Sequence, residues 1–154
     1  MVLACGQSKT DKRTVVTPNE PLLYDTSRIV ILPIDTANHW VFKDATTTQL
    51  TNQDLQTINK LLLACVTVHN VKQDTTTEFS EYIDLKKYKL QYVPFIDGNG
   101  HKKVYVNSFR DSDWGCDYWK QSLVVVDDGG SCFFHLTVDL TQNSFEQLFT
   151  NGYA

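Results

Sequence analysis

One amphipathic helix is the clearest element that the hydrophobic pattern predicts, over residues 51–70. Thr51 is a good N-cap and Asp54 stands at the third helical position, a variant of the capping box that satisfies backbone N–H groups at a helix start. Behind this start, one face collects residues at helical spacing: Leu55, Ile58, Leu62, Cys65, Val66 and His69. We expect this face to lie on a sheet.

The C-terminal half has the period of two that is typical of strands. Strands are predicted at residues 90–96, 103–109, 123–126 and 132–140, with a short last one at 145–149. Asn99-Gly100 marks the first hairpin turn, since Asn-Gly is the strongest short hairpin signal, and Gly129-Gly130 marks the second. Even-numbered positions in 132–140 are apolar, so one face of that strand belongs to the core.

An earlier hairpin is predicted from residues 28–34 and 39–43, which are rich in β-branched and aromatic types. A helix and strands that are segregated along the chain favour an α+β domain, here over residues 27–154. The element order resembles that of the cystatin-like folds. This resemblance implies one amphipathic helix packed on a curved antiparallel β-sheet, in a cystatin-like roll.

Length and charge narrow the function classes. The 154 residues suffice for one hydrophobic core, so we expect a single folded domain. A formal net charge of −4 argues against a nucleic-acid partner, which needs a surface that neutralises phosphates. No apolar run approaches the ~20 residues that a membrane-spanning helix requires, so no transmembrane span is predicted.

The first residues, Val2, Leu3, Ala4 and Cys5, resemble the lipobox of bacterial lipoproteins, in which the cysteine is diacylated. Residues 1–5 would then be the remnant of a signal peptide whose start lies upstream or was trimmed, since its basic and apolar parts are missing. The polar residues 6–26 are typical of a flexible tether. The alternative is the frayed start of a cytosolic domain.

The C-terminal half is similar to small uncharacterised lipoproteins of Bacteroidota. The similarity lies in Tyr92-Val93-Pro94, the turn at Asp97, Trp119-Lys120, residues 127–132 and residues 151–154. Together with the lipobox it implies a membrane partner through a lipid on Cys5, at the outer membrane or in the periplasm. It implies no activity.

Cysteines and histidines give no recognisable catalytic motif. Cys65 lies on the apolar helix face and is interpreted as a core residue. Cys116 and Cys132 are a possible disulfide pair in an oxidising compartment. A thiol-dependent hydrolase or transferase would need Cys116 or Cys132 to meet His135 or His101. Metal-ligand spacings are absent, and no cofactor or metal is predicted.

One aromatic and acidic segment is the best candidate for an interaction patch, because loops held by a rigid scaffold concentrate binding residues. It combines aromatic area with charges able to orient a partner: Asp111, Asp113, Trp114, Asp117, Tyr118 and Trp119. The competing interpretation is that the tryptophans cap the core. We therefore expect a non-enzymatic module that binds an unidentified protein or small molecule, with a thiol-dependent enzyme or a cystatin-like inhibitor as alternatives.

Overall fold

A computed structural model describes residues 24–35, 40–78, 80–111 and 117–153. Within these ranges the chain forms one long helix, α1, and seven short or medium strands that make an open sheet. The bounds are β1 Ile29–Ile31, β2 Thr46–Thr47, α1 Asn52–Val71, β3 Tyr88–Ile96, β4 Lys102–Arg110, β5 Phe133–Asp139, β6 Ser144–Phe145 and β7 Phe149–Thr150. The α+β class predicted from the sequence is confirmed.

The sheet is mixed, so the prediction of a purely antiparallel sheet is wrong. Its order is β1-β3-β4-β5-β6, with β2 also on β3 and β7 also on β5. Strand β1 runs parallel to β3, with Val30 opposite Gln91, whereas the other pairs are antiparallel. A parallel pair needs a long crossover connection, and here the connection contains α1.

The N-terminal hairpin prediction is also wrong. Residues 40–44 form turns, and the next strand, β2, pairs with the far end of β3 rather than with β1. Residue 39 lies outside the described residues. Both segments lie along the same edge of β3, because β4 pairs with the whole length of β3 on its other edge.

The helix begins as the sequence predicts. The Thr51 hydroxyl accepts a hydrogen bond from the Asp54 backbone N–H at 3.1 Å, and the Asp54 carboxylate accepts one from the Thr51 N–H at 2.8 Å. The predicted apolar face is buried on the sheet except for His69, which is half buried, and Leu61 joins it. Tyr24, which the sequence places in the tether, packs against the same core.

The helix covers one face of the sheet. Alternate residues of β4 and β5 face it and are almost fully buried: Val104, Val106, Phe134, Leu136 and Val138. The alternation predicted for residues 132–140 is therefore confirmed by burial. Two short strands, β6 and β7, replace the single last strand that the sequence predicts at 145–149, and both pair with β5.

The opposite, outer face of the sheet is covered by loops. Leu123 and Val124, predicted as part of a strand, do not join the ladder but pack as a loop over this face. The second predicted hairpin is therefore wrong. The physical reason is the fully buried side chain of Gln91 on β3. Its amide hydrogen-bonds to backbone groups of this loop that would otherwise pair with a neighbouring strand.

Candidate functional site

A cavity of about 560 Å³ lies between the C-terminal half of α1, the connection that follows it, and the β6–β7 segment. This volume falls within the roughly 300–1,000 Å³ typical of small-molecule sites. The cavity has an apolar floor and a polar rim. It lies on the helix side of the sheet, where no motif in the sequence marks it.

The apolar floor comes from the helix and from the chain after β6. Cys65 and Leu148 line the cavity and are buried, while Val68 lines it and is half exposed. Cys65 Sγ lies 3.7 Å from the backbone carbonyl of Glu146. Burial raises the pKa of the Cys65 thiol. The group therefore stays a neutral thiol at neutral pH. It can form part of the apolar floor, but it is not the thiolate that a nucleophilic cysteine requires.

One wall of the cavity is fixed by two polar side chains near the end of α1. His69 Nε2 lies 2.8 Å from the carbonyl of Glu81, and because a carbonyl can only accept, this nitrogen carries the proton. The Asn70 amide donates to the Ile83 carbonyl and accepts from the Ile83 N–H, both at 2.8 Å. Residues 81–83 are thus tied to the helix end, so the wall is largely preformed.

The rim of the cavity carries one side chain of each charge. Lys72 follows the last turn of α1 and is exposed, whereas Glu81 lies further along the connection after α1 and is half buried. Among the described residues, neither takes part in an ion pair. His69 lies in the last turn of α1 and Lys72 follows that turn three residues later, and this spacing at the end of an apolar face is the signal that could have pointed to the site.

Comparison with known proteins assigns no family. No family model, curated protein or solved structure matches this chain. The lipoprotein resemblance and the cystatin-like identity therefore stay predictions from the sequence.

The predicted interaction patch is only partly a surface. Trp119 is 7% exposed and packs edge-on against Phe109, with ring centroids 6.0 Å apart. It cannot serve as an exposed anchor, and this part of the prediction is corrected. Tyr118 is 45% exposed, and Asp117 and Asp111 are exposed, the latter 2.8 Å from Lys89 Nζ. Asp113 and Trp114 lie outside the described residues.

The thiol–imidazole pairs considered from the sequence do not meet where the structure describes them. Cys132 lies in a short turn near Arg110, at the end of β4, whereas His101 lies just before the start of that nine-residue strand. His135 is on the outer face of the sheet, stacked on Phe149 with centroids 5.7 Å apart. Cys116 lies outside the described residues, so its pairing with Cys132 stays a prediction.

An aromatic row crosses the outer face, and the sequence analysis missed it. The ring centroids of Tyr105 and His135 are 5.7 Å apart, and His135 continues to Phe149. Burial raises the pKa of Tyr105 to about 12 and lowers that of His135, so both rings stay neutral near pH 7. A small groove of about 130 Å³ beside this row includes Trp40, which is 73% exposed.

A compact charge cluster holds the β3–β4 turn. Lys103 Nζ lies 3.1 Å from Asp97, 3.9 Å from Asp139 and 3.7 Å from Glu146. The His101 backbone N–H, followed by Lys103, holds the pKa of Asp97 below its usual value. Because all three carboxylates share the Lys103 ammonium and the Asp97 carboxylate also accepts the His101 backbone N–H, we interpret the cluster as structural. In the described residues, no group of three or more His, Cys, Asp or Glu could hold a metal ion.

Proposed function

We propose that this chain is a non-enzymatic binding domain of a bacterial lipoprotein, and that its binding site is the helix-side cavity. The observation that carries the proposal is the cavity of about 560 Å³, with its apolar floor and its two rim charges. Pockets of this size that combine apolar lining with a few convergent polar groups are the usual sites of small ligands. The fixed wall at residues 81–83 lowers the ordering cost of binding.

A binding role fits the chemistry better than the thiol-dependent alternative. A nucleophilic cysteine needs a lowered pKa and a base within hydrogen-bond reach. The cavity thiol, Cys65, has a raised pKa, and the Nε2 of neighbouring His69 is occupied by a carbonyl. The helix followed by an antiparallel β3–β4–β5 meander also supports a cystatin-like roll, modified by the parallel strand β1.

The lipid anchor is the second part of the proposal, with the domain at the outer membrane or in the periplasm. It rests on the lipobox-like residues Val2 to Cys5 and on the polar residues that follow. A thioether-linked diacylglycerol supplies two chains, which is enough for stable anchoring. The anchor residue lies outside the described residues. Among the residues that the structure does describe, no helix has both the length and the apolar character to cross a bilayer.

Dye binding tests the cavity. The probe is 1-anilinonaphthalene-8-sulfonate, whose fluorescence rises in apolar sites. We expect saturable binding to the native protein, and binding roughly tenfold weaker or worse for Val68→Trp, in which the larger ring fills the cavity. Leu63→Trp is the matched control, since Leu63 is 49% exposed on the same helix and does not line the cavity. Equal binding by the two variants would contradict the proposed site.

Fractionation tests the anchor. When the gene is expressed with its native upstream leader, the protein should partition with membranes and carry a lipid mass. Cys5→Ser should release it into the soluble fraction, because the acylated sulfur is lost. Cys65→Ser is the control and should leave the partition unchanged. If the Cys5 variant fractionates like the parent protein, the anchor has to be abandoned.

A further inference from the structure

We infer that the helix-side cavity recognises a zwitterion with an apolar side group, that is, an apolar amino acid or a short apolar peptide. This inference rests on the proposed function, since it names the ligand class of the same cavity. Its basis is the juxtaposition of a cation, a carboxylate and an apolar floor around one space.

The rim charges select the ends of the ligand. The Lys72 ammonium follows the last turn of α1, and the Glu81 carboxyl lies on the connection that His69 holds in place. Among the described residues neither makes an ion pair, so each charge is available to a ligand. A ligand carboxylate would pair with Lys72 and a ligand ammonium with Glu81, and a ligand with both would satisfy both.

The floor selects the middle of the ligand. Cys65 and Leu148 are buried beneath the cavity, and Phe145, which packs against the same core, also lines it. A branched or aromatic side group placed there gains from burial, whereas a polar group would lose its hydration without a partner. The volume of about 560 Å³ exceeds what a single amino acid fills, so a short peptide also fits.

Calorimetry with four small probes tests the inference. L-leucine and L-leucyl-L-leucine carry both charges and distinguish a free amino acid from a peptide as the source. N-acetyl-leucine keeps only the carboxylate, and leucinamide keeps only the ammonium. We expect at least one of the zwitterions to bind, and each singly charged probe to bind roughly fivefold more weakly or worse, the scale of a partly exposed ion pair.

Two variants assign the charges. In Lys72→Gln the zwitterion should lose its advantage over leucinamide, and in Glu81→Gln its advantage over N-acetyl-leucine. Lys60→Gln, an exposed helix lysine away from the cavity, should change neither ratio. Equal affinities for all four probes, or no binding of any, would overturn the inference. If the dye still binds and Val68→Trp still weakens it, the proposed function survives that result, whereas loss of the dye effect refutes the site itself.

Discussion

Replacing Gln91 by leucine should detach the loop that covers the outer face of the sheet. Gln91 is 0% exposed, and its Nε2 donates to the carbonyls of Trp119 at 2.6 Å and Ser122 at 2.8 Å. Its Oε1 accepts from the Val124 N–H and from the Asn107 amide, each at 2.8 Å. Leucine has a similar size but can make none of these four bonds.

The expected loss in the free energy of unfolding follows from those four hydrogen bonds. A net contribution of roughly 0.5–1.5 kcal/mol each gives a total of about 2–6 kcal/mol. The Ser122 carbonyl is only partly buried and can bind water after the change, so we expect a loss of about 3 kcal/mol in the free energy of unfolding. Gln91→Glu should cost more, because a buried carboxylate cannot donate to the two carbonyls.

Urea denaturation and amide hydrogen exchange measure the effect. Gln53→Leu, an exposed helix position, is the control and should change the free energy of unfolding by less than about 0.5 kcal/mol. In Gln91→Leu the Val124 amide should lose protection, since its acceptor is removed. A cost no larger than that of the control, or unchanged exchange at Val124, would refute this reasoning.

Three other perturbations have definite expected outcomes. Leu62→Ala should cost about 2–5 kcal/mol in urea denaturation, because Leu62 is 2% exposed between helix and sheet; a cost below about 0.5 kcal/mol would contradict this packing. Burial lowers the pKa of His135, so its contribution to stability is present above the unfolded pKa of about 6.5 and is lost as pH falls toward the folded pKa. His135→Phe keeps the ring stack and should flatten the stability profile between pH 7 and 5, and an unchanged slope would disprove the assignment. Gly100→Ala should cost about 1 kcal/mol, because Gly100 has a positive φ, and Gly130→Ala should cost more. Gly130 also has a positive φ, and there an added Cβ would overlap the Tyr153 ring, so equal shifts in melting temperature would count against that overlap.

The elements with strong local signals were predictable. The start of α1 is set by contacts between Thr51 and Asp54, three residues apart, and the β3–β4 hairpin by its Asn99-Gly100 turn. Burial of alternate residues in β5 followed from their period of two. In each case the decisive interactions join residues that are close in the chain, so a local pattern contains the information.

The tertiary structure alone decided which segments meet. Residues 28–34 and 123–126 both have the composition of strands. The first segment contains β1, which pairs in parallel with β3 although α1 lies between them in the chain. The second is held as a loop by Gln91, which lies more than thirty residues earlier in the chain. The cavity, too, exists only because the β6–β7 segment packs beside α1, so that residues of the helix, of the connection after it and of this segment line one space. Local sequence fixes the propensity and the face of an element, whereas its partner depends on long-range packing of the whole chain.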